Sequence, residues 1–457
     1  MEVQTVIAEL EQVVGKTAVH SDAKTLEDYR RDMAEYDALP AVVVRPSSEA
    51  DVAKVVEVAN RNKVPILARG AGSSLTGAAV LAGGIILDMR NLNKVLKVDT
   101  VNWYVKVQPG IALWDLNEEL KPHGFFFPPD PASSYICTVG GAIAEGSGGL
   151  RCVRYGTMKD WVLSVRLVLP NGKVAKFGEP LPKNRAGYDL LHLIVGSEGT
   201  LGVITEAHLK IIPIPKVPMR RFLATFGSWD SVGDAITKMR SGGMLPGLFE
   251  FLDRDHIRAL NEKLGKNFTE AEATLIVDME EPALREMIEL LKSSGAESIR
   301  LAESEEEAEE LYEVRANALL AVKSLAPAVL VGDVTVPLDK LTDYLRAVKS
   351  VAATHGLRIP VMGHAGDGNV HPTILYDNAN EVERASVADA FEEICRRAVA
   401  LQGTVTGEHG VGVQKMKVFK EQLQRHDGTE TLLLMKRVKE IFDPSGIMNP
   451  GKYVDGT

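Results

Sequence analysis

At 457 residues, with 45% apolar and 25% charged side chains, the chain has the make-up of a folded enzyme and is long enough for two or three cores. A net charge of −10 excludes a general basic footprint for nucleic acid. Three scattered cysteines, Cys137, Cys152 and Cys395, leave a disulfide framework, a cysteine-rich zinc site and a four-cysteine iron–sulfur cluster without support. The first residues lack a basic, then apolar, leader, and no run of about 18 uncharged apolar residues occurs, so a soluble, cytoplasmic chain is expected, with docking on a membrane surface left open.

In chain order, short helices are expected over Val3–Val14 and Lys24–Met33, then a strand over Ala41–Val44. Ser47-Ser48-Glu49 opens a helix carrying Val52, Val55, Val56, Val58 and Ala59 on one face. Strands follow at Val64–Ala68, Gly84–Met89, Trp103–Val107, Val162–Leu169, Val174–Phe177 and Leu209–Ile212, with a turn at Pro170-Asn171-Gly172. Pro213, Pro215 and Pro218 deny the chain both helix and central strand and mark a domain boundary. Beyond them strands and helices alternate: Arg220–Thr225, Asp230–Met239, Gly247–Leu252, Ala273–Val277, Glu281–Ser293, an acidic helix from Ser304 to about Ser324, and a last helix over Thr429–Ile441.

Glycine concentrates in three tracts. The first, Ala68 to Gly77, follows a strand and could form a nest of backbone amides for a pyrophosphate, with Ser73 and Ser74 as further donors. A dinucleotide fingerprint fails, because Leu75 stands where its third glycine belongs and the strand at Gly84 leaves no room for a crossover helix. The second runs from Pro128 through Ser133-Ser134 and Thr138 to Gly149, and the third from Ile194 to Thr205. So much glycine loses chain entropy heavily on folding, and a flat ligand against the backbone would compensate.

A different chemistry appears in Gly363 to His371. Asp367-Gly368 reads as a two-residue hairpin turn, which pairs His364 with His371 across the strands. Two such imidazoles suit one metal, although a stacked pair is an equal alternative. Gly403 to Gly412 adds the adjacent Glu408 and His409, and two imidazoles plus a carboxylate leave coordination positions open. On the acidic helix, Arg315 falls inside the stripe Leu311, Ala318, Val322 without a carboxylate among its helical neighbours there. It needs an anion from elsewhere: a substrate carboxylate, or an ion pair on another element. The run of glutamates before it reads as a solvated face.

Arg69–Gly77, Thr138–Gly149, Arg154–Thr157 and Gly196–Thr205 together resemble the FAD-binding domain of the vanillyl-alcohol oxidase superfamily. From about Pro40 to Lys452 the chain is similar to its D-lactate dehydrogenase, glycolate oxidase and D-2-hydroxyglutarate dehydrogenase branch. The resemblance implies an α+β protein with a FAD-binding domain over 1–216 (core 40–216). An α+β, ferredoxin-like, FAD-linked oxidase C-terminal substrate or cap domain with the metal site would span 217–410. A helical segment, 411–457, would pack back on the FAD domain. It implies FAD on Arg69, Gly70, Ala71, Gly72, Ser73, Ser74 and Gly77, then along Pro131, Ser134, Thr138, Gly140, Gly141, Ala144, Gly146, Ser147 and Gly148, with Tyr155, Glu198, Gly202, Ile204 and Asn449. Some relatives attach FAD through a histidine in the first loop; this loop has none, so non-covalent FAD is expected.

The resemblance further implies His364, His371 and Glu408 as ligands of a divalent metal, zinc before manganese, and His409 as proton acceptor. With Arg315 on the carboxylate, the expected reaction is oxidation of a small D-2-hydroxy acid to the 2-oxo acid by hydride transfer to flavin N5. Relatives specialised for 2-hydroxyglutarate carry a lysine just before the segment matched by Asp333-Val334. Here Val331-Gly332 stands there, which favours a monocarboxylate, D-lactate first. The expected partners are the substrate and an electron acceptor (quinone, cytochrome or electron-transfer flavoprotein), with a homodimer left open. The rival readings are the FAD subunit of a glycolate oxidase complex, a flavin-using ether-lipid synthase and a non-catalytic electron-transfer subunit.

Overall fold

A computed structural model describes residues 3–34, 36–425 and 428–453. The chain divides into two compact units: Met1–Gly149, Thr157–Ile214 and Glu408–Thr457 form the first, and Leu150–Gly156 and Pro215–Gly407 the second. The proline-rich boundary therefore falls between Ile214 and Pro215, and the chain re-enters the first unit at Glu408. The excursion at Leu150–Gly156 is a feature the sequence reading did not foresee; it moves Tyr155, expected at the cofactor, into the second unit.

The first unit holds two main sheets. One has the spatial order Val19–His20, Val42–Val44, Ile85–Asp88, Ile66–Arg69, with the last three strands parallel. Between Val44 and Ile66 runs the helix Glu49–Asn62, whose N-cap Ser48 accepts from Asp51 N as the Ser-Ser-Glu signal requires. Its valine face packs on Val42, Val44, Ile85 and Leu87 to make the core. Ile66–Arg69 and Ile85–Asp88 are parallel neighbours joined by an irregular loop with no helix. Ile447 to Asn449 stitches onto the outer side of Ile66, which covers that sheet edge. The second sheet is antiparallel, in the order Val95–Asp99, Tyr104–Val107, Val203–Lys210, Val162–Val168, Val174–Gly178. Its third strand begins inside the third glycine tract rather than at Leu209. The second expected helix is shorter, Ala23–Asp28.

The second unit is built on one antiparallel sheet. Its order is Ala296–Leu301, Met219–Phe226, Ala273–Glu280, Leu248–Asp253, Val361–His364, Asn369–Tyr376, Ala328–Val331, with Val334–Thr335 also paired to Asn369–Tyr376. On one face Leu252, Ile276 and Met362 bury against Leu311, Ala318 and Val322. The acidic helix starts at the Ser304 cap but breaks at Asn317, giving Glu305–Ala316 and Ala318–Lys323. Asn317 turns its side-chain amide back to the Glu313 carbonyl, the local competition that makes asparagine a poor helix-interior residue. The stripe survives the break: Leu311, Ala318 and Val322 are all fully buried.

Candidate functional site

In the first unit the loop after Arg69 is shaped from within. The Arg69 guanidinium donates to the carbonyls of Tyr29, Arg31 and Ala79, which fixes the loop's ends. The side chain expected on the cofactor is therefore engaged on protein backbone. Gly72 has φ +73°, and a Cβ there would meet the Arg69 guanidinium at 2.3 Å. Among the described residues the amides of Gly70, Ala71, Gly72, Ser73 and Ser74 donate no hydrogen bond to the protein. Successive unsatisfied amides in an irregular turn are a fit for phosphate oxygens.

The other two glycine tracts close on each other. Thr138 caps the helix Val139–Glu145 through Gly141 N, and Gly70 passes so near it that a Cβ would lie 2.1 Å from Thr138 Oγ1. Gly140 N donates to Pro109 O, Ser147 N to Ala142 O, and Glu198 N to the Ala144 carbonyl. Gly146 and Gly196 come within 3.3 Å by the same measure. Pro131 and Ser134 form a turn, Ser134 N to Pro131 O, while Gly148 leads into Gly149, whose Cβ would strike the Asp130 backbone. Gly202 leads into Ile204 on its strand; Gly77 has φ +77° and lies against Tyr36. Asn449 is fully buried with φ +39°, and its Nδ2 donates to the carbonyls of Ala78 and Glu198. Its Oδ1 is buried and has no hydrogen-bond partner among the described residues, an acceptor available to a ligand's donor. The open amides and this acceptor fit FAD.

Glu198 also holds the tract that starts at Glu408. Its carboxylate accepts from Val411 N at 2.6 Å and Gly412 N at 2.9 Å. Burial raises its pKa to about 7, against those two amides and the charges of Lys452 and Lys415. Thr76, in the first glycine loop, donates through Oγ1 to the His409 carbonyl and accepts from Val413 N and Gln414 N. His409 is thus fastened to the loop with the open amides, and its Nε2 lies 3.5 Å from Glu408 Oε1.

In the second unit the histidine hairpin corrects the expected register. Four residues, Ala365–Gly368, form its loop, so His364 pairs with Asn369 and His371 with Met362. The slip is two residues, an even number, so both histidines keep the same face. They meet diagonally, Nε2 to Nε2 at 3.4 Å with the rings nearly perpendicular. Across the next strand pair, Glu250 stands opposite His364 and meets its Nδ1 at 2.7 and 2.8 Å. A carboxylate only accepts, so His364 carries its hydrogen on Nδ1 and turns the Nε2 lone pair toward His371. Burial works to raise the Glu250 carboxyl, but its interactions with His364 and Arg315 hold it below the ordinary glutamate value. Two imidazole nitrogens facing at that distance, one with its tautomer fixed from behind, are a donor set fit for a divalent metal.

Arg315 has the ion pair on another element: its Nε donates to Glu250 Oε2 at 2.7 Å, with both side chains buried. Its Nη1 and Nη2 make no hydrogen bond among the described residues. Nearby, the buried Asp333 accepts from Asn369 Nδ2, Thr406 Oγ1 and Gly407 N, anchoring the residue just before Glu408. Glu250 and Asp333 escaped the sequence reading as site residues. The available signal was an acidic side chain inside an apolar strand, Phe249-Glu250-Phe251, and another beside the glycine of Val331-Gly332-Asp333.

Comparison with known proteins matches residues 40–178 to the FAD binding domain and 218–453 to the FAD linked oxidases, C-terminal domain. Glycolate oxidase subunit GlcD of Bacillus subtilis is 36% identical over 427 residues, 92% of this chain and 90% of the relative. The D-lactate dehydrogenase [cytochrome], mitochondrial, of Arabidopsis thaliana is 39% identical over 426 residues, 91% of this chain and 74% of the relative. Among solved structures an alkyldihydroxyacetonephosphate synthase superposes with a TM-score of 0.76 at 22% identity, over 99% of this chain and 86% of that one, a likeness of fold.

Proposed function

We propose that this chain, which belongs to the family of FAD-linked oxidases, oxidises a small D-2-hydroxy acid, D-lactate before glycolate, to the 2-oxo acid. The observation that carries the reading is the arrangement around Glu250. One buried carboxylate turns a histidine lone pair outward and takes only Nε of an arginine, whose two terminal nitrogens have no hydrogen bond among the described residues. A 2-hydroxy acid offers the matching groups, a hydroxyl to be made acidic and a carboxylate to be gripped.

Bound FAD would supply the oxidant, taking up the electron pair and the hydrogen lost from the substrate carbon. A divalent metal on His364, His371 and Glu408, zinc or else manganese, would supply the positive charge that lowers the hydroxyl pKa. Arg315 holds the carboxylate through Nη1 and Nη2. His409 accepts the hydroxyl proton; its carbonyl is tied to Thr76 and its neighbours to Glu198, which favours a fixed position beside the flavin loop. Val331-Gly332, where relatives specialised for 2-hydroxyglutarate carry a lysine, favours a monocarboxylate, because a second-carboxylate anchor is missing at that place. The relatives named as a subunit of glycolate oxidase support a second reading, in which the chain is the flavin subunit of such a complex; a co-purifying partner chain would distinguish it. Electrons then pass to a quinone, a cytochrome or an electron-transfer flavoprotein.

The test is anaerobic titration of the yellow protein with D- and L-lactate, glycolate and D-2-hydroxyglutarate, following flavin absorbance. D-lactate and glycolate are expected to bleach the flavin, and acid to release intact FAD. Chelation should slow the bleaching and Zn²⁺ or Mn²⁺ restore it. No bleaching by any acid leaves an electron-transfer subunit, and full speed without metal removes the metal from the mechanism.

A further inference from the structure

Glu250 sits at the centre of the strand Leu248–Asp253, between Phe249 and Phe251, and is fully buried. A carboxylate in such a place is strongly disfavoured unless paired and hydrogen-bonded. Its pairing is divided: Arg315 Nε on Oε2, and His364 Nδ1 on both oxygens. Strand register sets the histidine contact, because Glu250 and His364 are direct partners. The arginine arrives from the last turn of the helix Glu305–Ala316. Neutralising a buried charge could have been done by a two-pronged grip on Nη1 and Nη2, the usual fork geometry. The contact made here is through Nε, the one that spares that edge. The same carboxylate engages Nδ1 of His364, which directs its Nε2 toward His371.

We propose that Glu250 is a positioning residue, which sets His364 as an Nε2 donor toward the metal and sets Arg315 with its two-nitrogen edge toward the substrate carboxylate. This rests on the function proposed above, and its test is chosen to fail separately. Chelated holoenzyme is titrated with Zn²⁺ by calorimetry, beside ¹⁵N-histidine spectra of the same samples and steady-state kinetics. Glu250→Gln keeps the volume but removes the charge. It is expected to weaken Zn²⁺ binding about 10–100-fold, to release His364 from the pure Nδ1–H tautomer, and to raise KM, with FAD content unchanged. Glu250→Asp, which keeps the charge but not the volume, is expected to recover part of the Zn²⁺ affinity; a packing role would rank it below the amide. Unchanged affinity and tautomer in Glu250→Gln overturn the proposal. Should that variant not fold, an Nε2–H tautomer of His364 in the wild type overturns it equally. A wild type that binds no Zn²⁺ yet loses the tautomer in Glu250→Gln upholds the positioning and removes the metal from the proposed function.

Discussion

In the first unit the groups open to a ligand are mostly backbone. Among the described residues the amides of Gly70 through Ser74 have no protein acceptor, and the surrounding side chains shape the main chain: Arg69 gathers three carbonyls, Glu198 two amides, Asn449 two carbonyls. In the second unit the groups are side chains on one sheet face, held by other side chains: Glu250 behind His364 and Arg315, Asp333 behind Asn369 and Gly407. A backbone site is indifferent to which side chain is present and intolerant of any Cβ in the wrong place. A side-chain site is indifferent to small backbone shifts of even register and intolerant of losing one oxygen or nitrogen. The two units should therefore fail in different ways.

His409 tests this contrast hardest, because it is a chemical side chain carried by the backbone-built unit. His409→Ala is expected to slow flavin reduction by about 10²–10⁴-fold, the cost of a lost general base. Its FAD content should stay unchanged, since Thr76 binds its carbonyl and not its ring. Stopped-flow reduction by D-lactate measures it; a loss under tenfold would leave the proton to another acceptor. Next comes Arg315→Ala. A desolvated charge-assisted contact is worth about 2–5 kcal/mol, so kcat/KM should fall by roughly 30-fold or more. Glu250 then loses one of its partners, so the melting temperature should fall as well. Flavin content should not change. Retained activity with a lowered melting temperature would make the Glu250 pair the whole role of Arg315.

Gly72→Ala is the corresponding lesion of the backbone site. The residue has φ +73°, where an L side chain costs about 1–2 kcal/mol, and its Cβ would collide with the Arg69 guanidinium. Displacing Arg69 releases the carbonyls that shape the loop. FAD affinity of the apoprotein is expected to fall about tenfold, with Zn²⁺ binding unaffected. Loss of both together would show that the two sites do not fail independently.

The legibility of the two sites in the sequence followed the same division. Helices with strong periodicity, Val3–Val14 and Glu281–Ser293, read off residue by residue, and glycine density marked the tracts that close on each other in the first unit. The hairpin register did not read off, although Asp367-Gly368 is the strongest short-range turn signal. Gly368 does take a positive φ, +82°, but Val336 N captures its carbonyl and Phe249 O captures Gly366 N. Those non-local bonds lengthen the loop to four residues, and a rule of local turn chemistry has no access to them. Because the slip was even, the shared face of His364 and His371 remained readable while their register was not. Glu250 stayed hidden because an isolated acid in a strand reads as solvent-facing until its neighbours across the sheet are known.

The smallest expected effect lies in the joint between these styles, Glu198, a side chain that holds backbone. It takes a left-handed conformation, φ +51°, with Asn449 on its carbonyl and the amides of Val411 and Gly412 on its carboxylate. Burial lifts its pKa from 4.5 to about 7. A group whose pKa is higher in the folded than in the unfolded chain favours the fold most when protonated in both. The stabilisation is therefore complete below pH 4.5 and is lost as pH rises through 7. The wild type should lose a few °C of melting temperature between about pH 5 and pH 8 from this source. Glu198→Gln is neutral at every pH and keeps an acceptor oxygen for the tract behind His409. Its melting curve should be flatter over that window, with the two proteins closest at low pH. Other groups titrate equally in both, so only the difference between the curves counts. Parallel curves would mean that Glu198 stays ionised across the range, held by Lys415 and Lys452, and that its two amide contacts are stronger than its burial.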